Sequence, residues 1–114
     1  MTTITLPFPP SANRLWRNFK GRTVISEGYR LWKETAGWTL QAQRPQKHEG
    51  PVNIAIKLMM PDKRRRDIDN RIKPILDLLC AHRVIAGDDS RFVRSVSVSL
   101  AHGGPGAHVE VMPL

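Results

Sequence analysis

Two aspartates, spaced two residues apart, follow directly behind three consecutive arginines in this sequence. Asp67 and Asp69 come after residues 64–66, and Lys73 lies four residues beyond the second acid. Carboxylate oxygens are the ligands that hard divalent cations prefer, and arginines bind phosphate groups. The segment therefore favours a divalent metal ion held by the acids, with a polyanion held against it by the cations Arg64, Arg65 and Arg66.

Asp67 and Asp69 can share an ion only where the chain between them is extended. Residues two apart face the same side of an extended segment but nearly opposite sides of a helix. The two acids lie between a strand predicted for residues 51–60 and a helix predicted for residues 70–81, so a shared site is feasible. Lys73 then follows one helical turn after Asp69 and lies on the same side.

Each of these residues also has a purely structural interpretation. An acid at Asp69 is well suited to a helix N-terminus, and a run of arginines is typical of a solvated loop. Lys73 and Asp77 have the spacing of an ordinary pair on a helix surface. A later acidic pair, Asp88 and Asp89, is suited both to a turn and to completing a metal site.

A second basic cluster lies near the N-terminus. Trp16 stands between two arginines, where it could stack on a base, although core packing is the commoner fate of a tryptophan. Trp32 and Trp38 are expected to be structural. The basic cluster favours contacts with phosphates, and a solvated surface is nearly as good an interpretation. The residues of the cluster are Asn13, Arg14, Arg17, Lys20 and Arg22.

The composition indicates one globular domain over residues 1–114 that binds a polyanion. The chain carries a net charge of +8, with 40% hydrophobic and 25% charged residues. Its sequence pI near 10.6 makes nucleic acid the first candidate partner. A membrane partner is disfavoured, because no apolar run reaches the length of a span. The N-terminus resembles no secretion signal, and a single cysteine, Cys80, suits the cytoplasm.

The hydrophobic pattern predicts an α+β fold, a small mixed β-sheet with two helices. Residues 51–60 alternate with period two, and Ile72, Ile75, Leu76 and Leu79 follow the helical spacing i, i+3, i+4, i+7. Ser26 is predicted to cap the first helix. The predicted strands cover residues 2–6, 22–25, 51–60 and 92–101 and a last strand around residues 109–111, the last two forming a hairpin, and the predicted helices cover residues 27–43 and 70–81.

Three blocks of the chain resemble the RusA-type Holliday junction resolvases, a family of small nucleases often carried by phages and prophages. The first is residues 4–14, an opening strand followed by a proline turn. The second and most specific is residues 62–70, followed by Lys73 and Asp77. The third is the acidic pair Asp88-Asp89. The blocks occur in the expected order and span most of the domain.

The resemblance implies a homodimeric, Mg²⁺-dependent endonuclease that resolves four-way DNA junctions by paired symmetric nicks. It assigns the metal ligands to Asp67, Asp69 and Asp89, with Asp88 as the fallback for the last. It assigns the catalytic lysine to Lys73. The expected DNA contacts are Asn13, Arg14, Arg17, Arg64, Arg65, Arg66 and Arg71. The alternatives are a DNA-binding module without chemistry and a Mg²⁺-dependent nuclease for other branched DNA such as flaps.

Overall fold

The structure, a computed structural model, describes the backbone of residues 1–114 and every side chain except that of Arg14. Within these residues, six strands and two helices build the α+β fold that the sequence predicts. Two short 3-10 turns, Ala12–Arg14 and Asp69–Arg71, lie beside the regular elements. The regular elements are β1 (Thr2–Leu6), β2 (Trp16–Phe19), β3 (Arg22–Ile25), α1 (Glu27–Ala42), β4 (Val52–Met59), α2 (Ile72–Ala81), β5 (Val93–Ala101) and β6 (Gly106–Pro113).

The main sheet has four strands in the order β1-β6-β4-β5. β4 lies inside the sheet, and its alternate residues are fully buried, as the period-two pattern predicts. It pairs antiparallel with β6 and parallel with β5. The helices cover one face of the sheet, and the core that they close includes Ile54, Ile56, Leu58, Ile75, Leu79 and Val109.

The predicted hairpin between the last two strands is wrong. β5 and β6 are consecutive in the chain, but β4 lies between them. Val109 and Val111 of β6 stand opposite Ile56 and Ile54 of β4, where all four side chains are buried. Pairing with β4 therefore buries more apolar surface than pairing with β5, an edge strand whose Leu100 is 59% exposed.

The two helices follow their predicted patterns with small differences at the ends. Ser26 caps α1, because its side chain accepts a hydrogen bond from the backbone N–H of Tyr29 at 3.2 Å. Trp32 is buried as expected. Trp38, however, is 75% exposed, so the expectation that it is a structural tryptophan is wrong. Trp16 is 52% exposed, which rules out core packing, one of its two interpretations.

β2 and β3 form a separate two-stranded antiparallel hairpin. The sequence predicts β3 but not β2. Within the described residues, no helix is long and apolar enough to cross a membrane.

Candidate functional site

The arginine loop, residues 62–66, follows the end of β4 and is organised by one acid. The carboxylate of Asp62 accepts hydrogen bonds from the backbone N–H of Arg64 at 2.8 Å and from Arg64 Nε and Arg66 Nη2 at 3.1 Å. The Arg66 guanidinium holds the pKa of Asp62 well below its usual range. Arg66 is 12% exposed and Arg64 is 79% exposed, so the first is a structural member of the loop and the second faces solvent.

The ring of Phe8 joins the arginine loop to the proline turn, residues 7–13. The guanidinium carbons of Arg66 and Arg71 lie 5.8 and 5.1 Å from the ring centroid, within the range of cation–π attraction. Arg71 Nη1 also donates a hydrogen bond to the carbonyl oxygen of Pro9 at 2.9 Å. Two chain segments more than fifty residues apart are thereby fixed against each other.

An open cleft of about 680 Å³ lies between these two segments, with the start of α1 beside it. It brings together six of the predicted site residues: Asn13, Arg64, Arg65, Arg66, Asp67 and Arg71. Four arginines line it together with two aromatic rings, two prolines and several small or polar residues, a mixture that suits the phosphates and bases of a nucleic acid strand. The other lining residues are Phe8, Pro9, Pro10, Ser11, Gly28, Trp32 and Asn70.

The two central acids lie at the start of the second helical segment. Asp67 is exposed and accepts a hydrogen bond from Asn70 Nδ2 at 3.4 Å. Asp69 opens the 3-10 turn, and α2 begins only at Ile72, two residues later than predicted. Neither Asp69 nor Asn70 caps α2: its N-cap is Arg71, whose side chain makes no capping bond. The later start places Pro74 in the first turn, where helix N–H groups lack partners and proline is tolerated.

Lys73 and the later acids lie outside the lining of the cleft. Lys73 Nζ forms the expected helix-surface pair with Asp77 at 3.5 Å. Burial raises the pKa of Cys80, and the nearby carboxylates of Asp88, Asp77 and Asp89 raise it further. The later acidic pair therefore lies beside the C-terminal half of α2.

Asp89 is engaged by a neighbouring arginine. Arg91 Nε donates to Asp89 Oδ1 at 3.0 Å, and Arg91 Nη2 donates to Oδ2 at 2.9 Å. The backbone N–H of Arg91 adds a third bond at 2.9 Å. These bonds lower the pKa of Asp89, and the bonds from the Arg91 side chain lower it more than the backbone bond does.

The residues fit a divalent cation in donor type. Exposed carboxylates supply hard oxygens, and Mg²⁺ is commonly held by one or two carboxylates together with substrate phosphates. Among the described side chains, no three of the types Asp, Glu, His and Cys are close enough to hold an ion together. The assignment of Asp67, Asp69 and Asp89 as metal ligands thus stays a prediction. It requires that Asp89 exchange its hydrogen bonds with Arg91 for bonds to the metal ion.

The structure places one of the predicted DNA contacts outside the cleft and leaves another undescribed. Arg17 lies on the β2–β3 hairpin rather than in the cleft, and the side chain of Arg14 lies outside the described residues. The sequence reasoning missed Asp62 and Phe8. The spacing of Asp62 from the arginines two and four residues later is a recognisable signal, because aspartate side chains accept from backbone N–H groups two residues on.

Comparison with known proteins identifies the family. The family model described as "Endodeoxyribonuclease RusA" matches residues 7–112. The chain is 40% identical over 108 residues to "Crossover junction endodeoxyribonuclease RusA" of Escherichia coli strain K12, covering 90% of this chain and 87% of that protein. The proteins of the same name from Shigella sonnei strain Ss046 and Enterobacteria phage 82 are 38% and 37% identical; the matches cover 90% and 89% of this chain, and 87% and 86% of those proteins. This chain therefore belongs to the RusA endodeoxyribonuclease family.

Proposed function

We propose that this protein is a Mg²⁺-dependent endodeoxyribonuclease that resolves four-way DNA junctions by paired symmetric nicks, in the recombination and repair of DNA in the cytoplasm. The observation that carries the proposal is the cleft, which places Asp67 beside Arg64, Arg65 and Arg66. An acid among cations is unfavourable for holding DNA alone, because a carboxylate repels phosphate. The arrangement becomes useful when a cation lies between the carboxylate and the phosphate.

The relatives support the substrate and the setting. Their names specify a crossover junction as the DNA that they act on, and one of them comes from a phage, which favours a prophage setting for this chain. Membership of the family carries a divalent-metal requirement, and Mg²⁺ suits ligands that are all oxygens. A four-way junction has near-twofold symmetry, so a homodimer with twofold symmetry would present one site to each of two opposed strands.

The mechanism follows from the roles of the chain's own residues. Exposed arginines of the cleft, Arg64 and Arg65, bind the DNA backbone without reading its sequence. Asp67 and Asp69 would hold the Mg²⁺, which would supply Lewis acidity for water activation and for charge on the leaving oxygen. Lys73, kept in place by Asp77, stabilises negative charge on the scissile phosphate.

A panel of DNA substrates tests this proposal. The wild-type protein is incubated with a synthetic four-way junction, a flap and a linear duplex, each with Mg²⁺ and with EDTA. We expect nicks in the junction, in two opposed strands and only with Mg²⁺. The Asp67→Asn variant should not nick, whereas Glu34→Gln, an exposed acid on α1, should nick as the wild type does.

Three results would overturn the proposal. Junction binding without any nick in the presence of Mg²⁺ would identify a DNA-binding module. Nicking of flaps in preference to junctions would identify a nuclease for other branched DNA. Undiminished nicking by Asp67→Asn would remove the cleft from the mechanism.

A further inference from the structure

The β2–β3 hairpin projects from the domain without a core of its own. Seven of its eight strand residues are exposed, and Val24 is the half-buried one. Two-stranded ribbons are marginal alone, so the base of this one must be anchored. Leu15, directly before β2, is 1% exposed within the core, and the backbone N–H of Ser26 donates to the carbonyl oxygen of Leu15 at 2.9 Å. The hairpin is therefore an arm fixed at its base.

The arm ends in a tight two-residue loop. Phe19 pairs with Arg22, and the intervening Lys20 and Gly21 have φ angles of 50° and 77°. Two consecutive residues with positive φ are typical of the type I′ turn that best matches the twist of a hairpin. The loop places a lysine at the extreme tip, about 13 Å from the base for strands of four residues.

The two faces of the arm differ in chemistry. In an antiparallel pair, residues that stand opposite each other share a face, and neighbours along a strand alternate. One face carries Trp16 with Ile25 and Asn18 with Thr23. The other carries two arginines and an aromatic ring, because Arg17 and Phe19 share it with Val24 and Arg22.

Cations surround the aromatic ring near the tip. The Arg17 guanidinium carbon and Lys20 Nζ each lie 5.4 Å from the centroid of the Phe19 ring. Phe19 itself is 49% exposed. A solvent-facing ring flanked by cations is suited to a nucleic acid strand, since phosphates attract the cations and an unpaired base stacks on the ring.

The arm emerges from the rim of the cleft. Asn13, two residues before Leu15, and Gly28, two residues after Ser26, both line it. DNA held by Arg64 and Arg65 would therefore pass close to the base of the arm. The charge of the arm matches that partner: its strands and loop, residues 16–25, contain three cations and no acid.

We propose that this hairpin reads the branch point of the DNA: Phe19 stacks on an unpaired base, while Arg17, Lys20 and Arg22 hold the flanking phosphates. This inference rests on the proposed function for the identity of the DNA. It adds a recognition element that separates branched DNA from duplex, because a base in a continuous stack offers no free face to Phe19.

Binding in EDTA tests the inference apart from cleavage. Dissociation constants are measured for a four-way junction and for a duplex of equal arm length, with wild type, Phe19→Ala, Phe19→Trp and Trp38→Ala. Phe19→Ala should bind the junction about 5- to 150-fold more weakly than wild type, because it loses the stacking of one base. Its dissociation constant for duplex should stay within about twofold of the wild-type value. Phe19→Trp should bind as wild type. Trp38→Ala removes a more exposed aromatic residue on α1 and should change neither constant.

Two further readouts separate stacking from other roles. A 2-aminopurine base at the branch point should show fluorescence quenching with wild type and not with Phe19→Ala. The slope of log Kd against log salt should stay the same in Phe19→Ala, while Arg17→Ala lowers its magnitude by about 0.9.

The inference would be overturned if Phe19→Ala bound the junction as wild type, or lost junction and duplex binding equally. A changed oligomeric state of Phe19→Ala in light scattering would assign the ring to a second copy of the chain instead. These outcomes are distinct from those that would overturn the proposed function, all of which concern cleavage in the presence of Mg²⁺.

Discussion

At the scale of single residues, the most consequential contact is the one between Asp89 and Arg91. Both oxygens of the predicted third metal ligand accept hydrogen bonds from one guanidinium. A cation and a guanidinium compete for the same carboxylate, so Arg91 must release Asp89 before Asp89 can bind metal. Both side chains are largely exposed, at 76% and 49%, and the pair is correspondingly weak.

The Arg91→Gln variant tests this competition. Removal of the guanidinium should lower the Mg²⁺ concentration for half-maximal junction cleavage about two- to fivefold, a small effect because an exposed ion pair is weak. Arg94→Gln removes another exposed arginine three residues further on and serves as the matched control. An unchanged or higher Mg²⁺ requirement in Arg91→Gln would exclude Asp89 as a ligand restrained by Arg91.

His48 gives the fold a predictable dependence on pH. It is 7% exposed and its Nε2 lies 2.8 Å from the hydroxyl of Thr2. Burial, and then the charge of the terminal amine, lowers its pKa below the ordinary value of 6.5. Protonation therefore favours the unfolded chain, so this stability is complete above about pH 6.5 and is lost as the pH falls toward the folded-state pKa.

The His48→Gln variant should show a smaller loss of unfolding free energy between pH 7.5 and pH 5 than the wild type does. Urea denaturation at several pH values measures this difference, and the exposed His102, changed to Gln, is the control. Parallel pH profiles for wild type and His48→Gln would contradict the assignment.

At the scale of elements, α2 links the core to the site. Leu79 is fully buried on its inner face, and Lys73 and Asp77 lie on its outer face.

Leu79→Ala should destabilise the protein by about 2–5 kcal/mol, because it removes buried methyl groups and leaves a cavity. Leu31→Ala on α1, where the side chain is 52% exposed, should cost less than about 0.5 kcal/mol. Similar losses in urea denaturation would contradict this packing.

The sequence predicts best those elements whose pattern is local. β4 has a strict alternation over eight residues, and α2 has apolar residues at helical spacing, so periodicity alone identifies both. Pairing between strands is not local. The insertion of β4 between β5 and β6 depends on how much apolar surface each arrangement buries, which the hairpin-like spacing of the two strands does not reveal.

The same limit applies to the site. The grouping of residues 64–67 is contiguous in the chain and was predictable. The approach of Phe8 to Arg66 and Arg71 is a tertiary contact with no local signal. The exposure of Trp16 and Trp38 was also unpredictable, because tryptophans are usually buried and only the whole fold shows which ones lie outside the core.

At the scale of the whole molecule, the net charge of +8 makes the affinity for DNA depend on salt. Binding should weaken with salt, with a log–log slope of about −0.9 for each phosphate neutralised. Arg65→Ala in the cleft should reduce the magnitude of that slope by about 0.9. Arg44→Ala should leave it unchanged, because Arg44 follows the end of α1 opposite the cleft, and a helix of 16 residues is about 24 Å long. Equal slopes for all three proteins would contradict a phosphate contact at Arg65.

The central claim is that the acids beside the arginine loop drive paired cleavage of a junction, and a supercoiled plasmid with an extruded cruciform tests it most directly. Two symmetric nicks within one binding event give linear DNA, whereas single nicks give open circles. We predict linear product from the wild type with Mg²⁺, none from the wild type with EDTA, and none from Asp69→Asn. The Asp69→Asn variant should still bind the cruciform as tightly as wild type or more tightly, since the loss of one negative charge lowers repulsion toward phosphate. Linear product from Asp69→Asn, or from wild type in EDTA, would contradict the account.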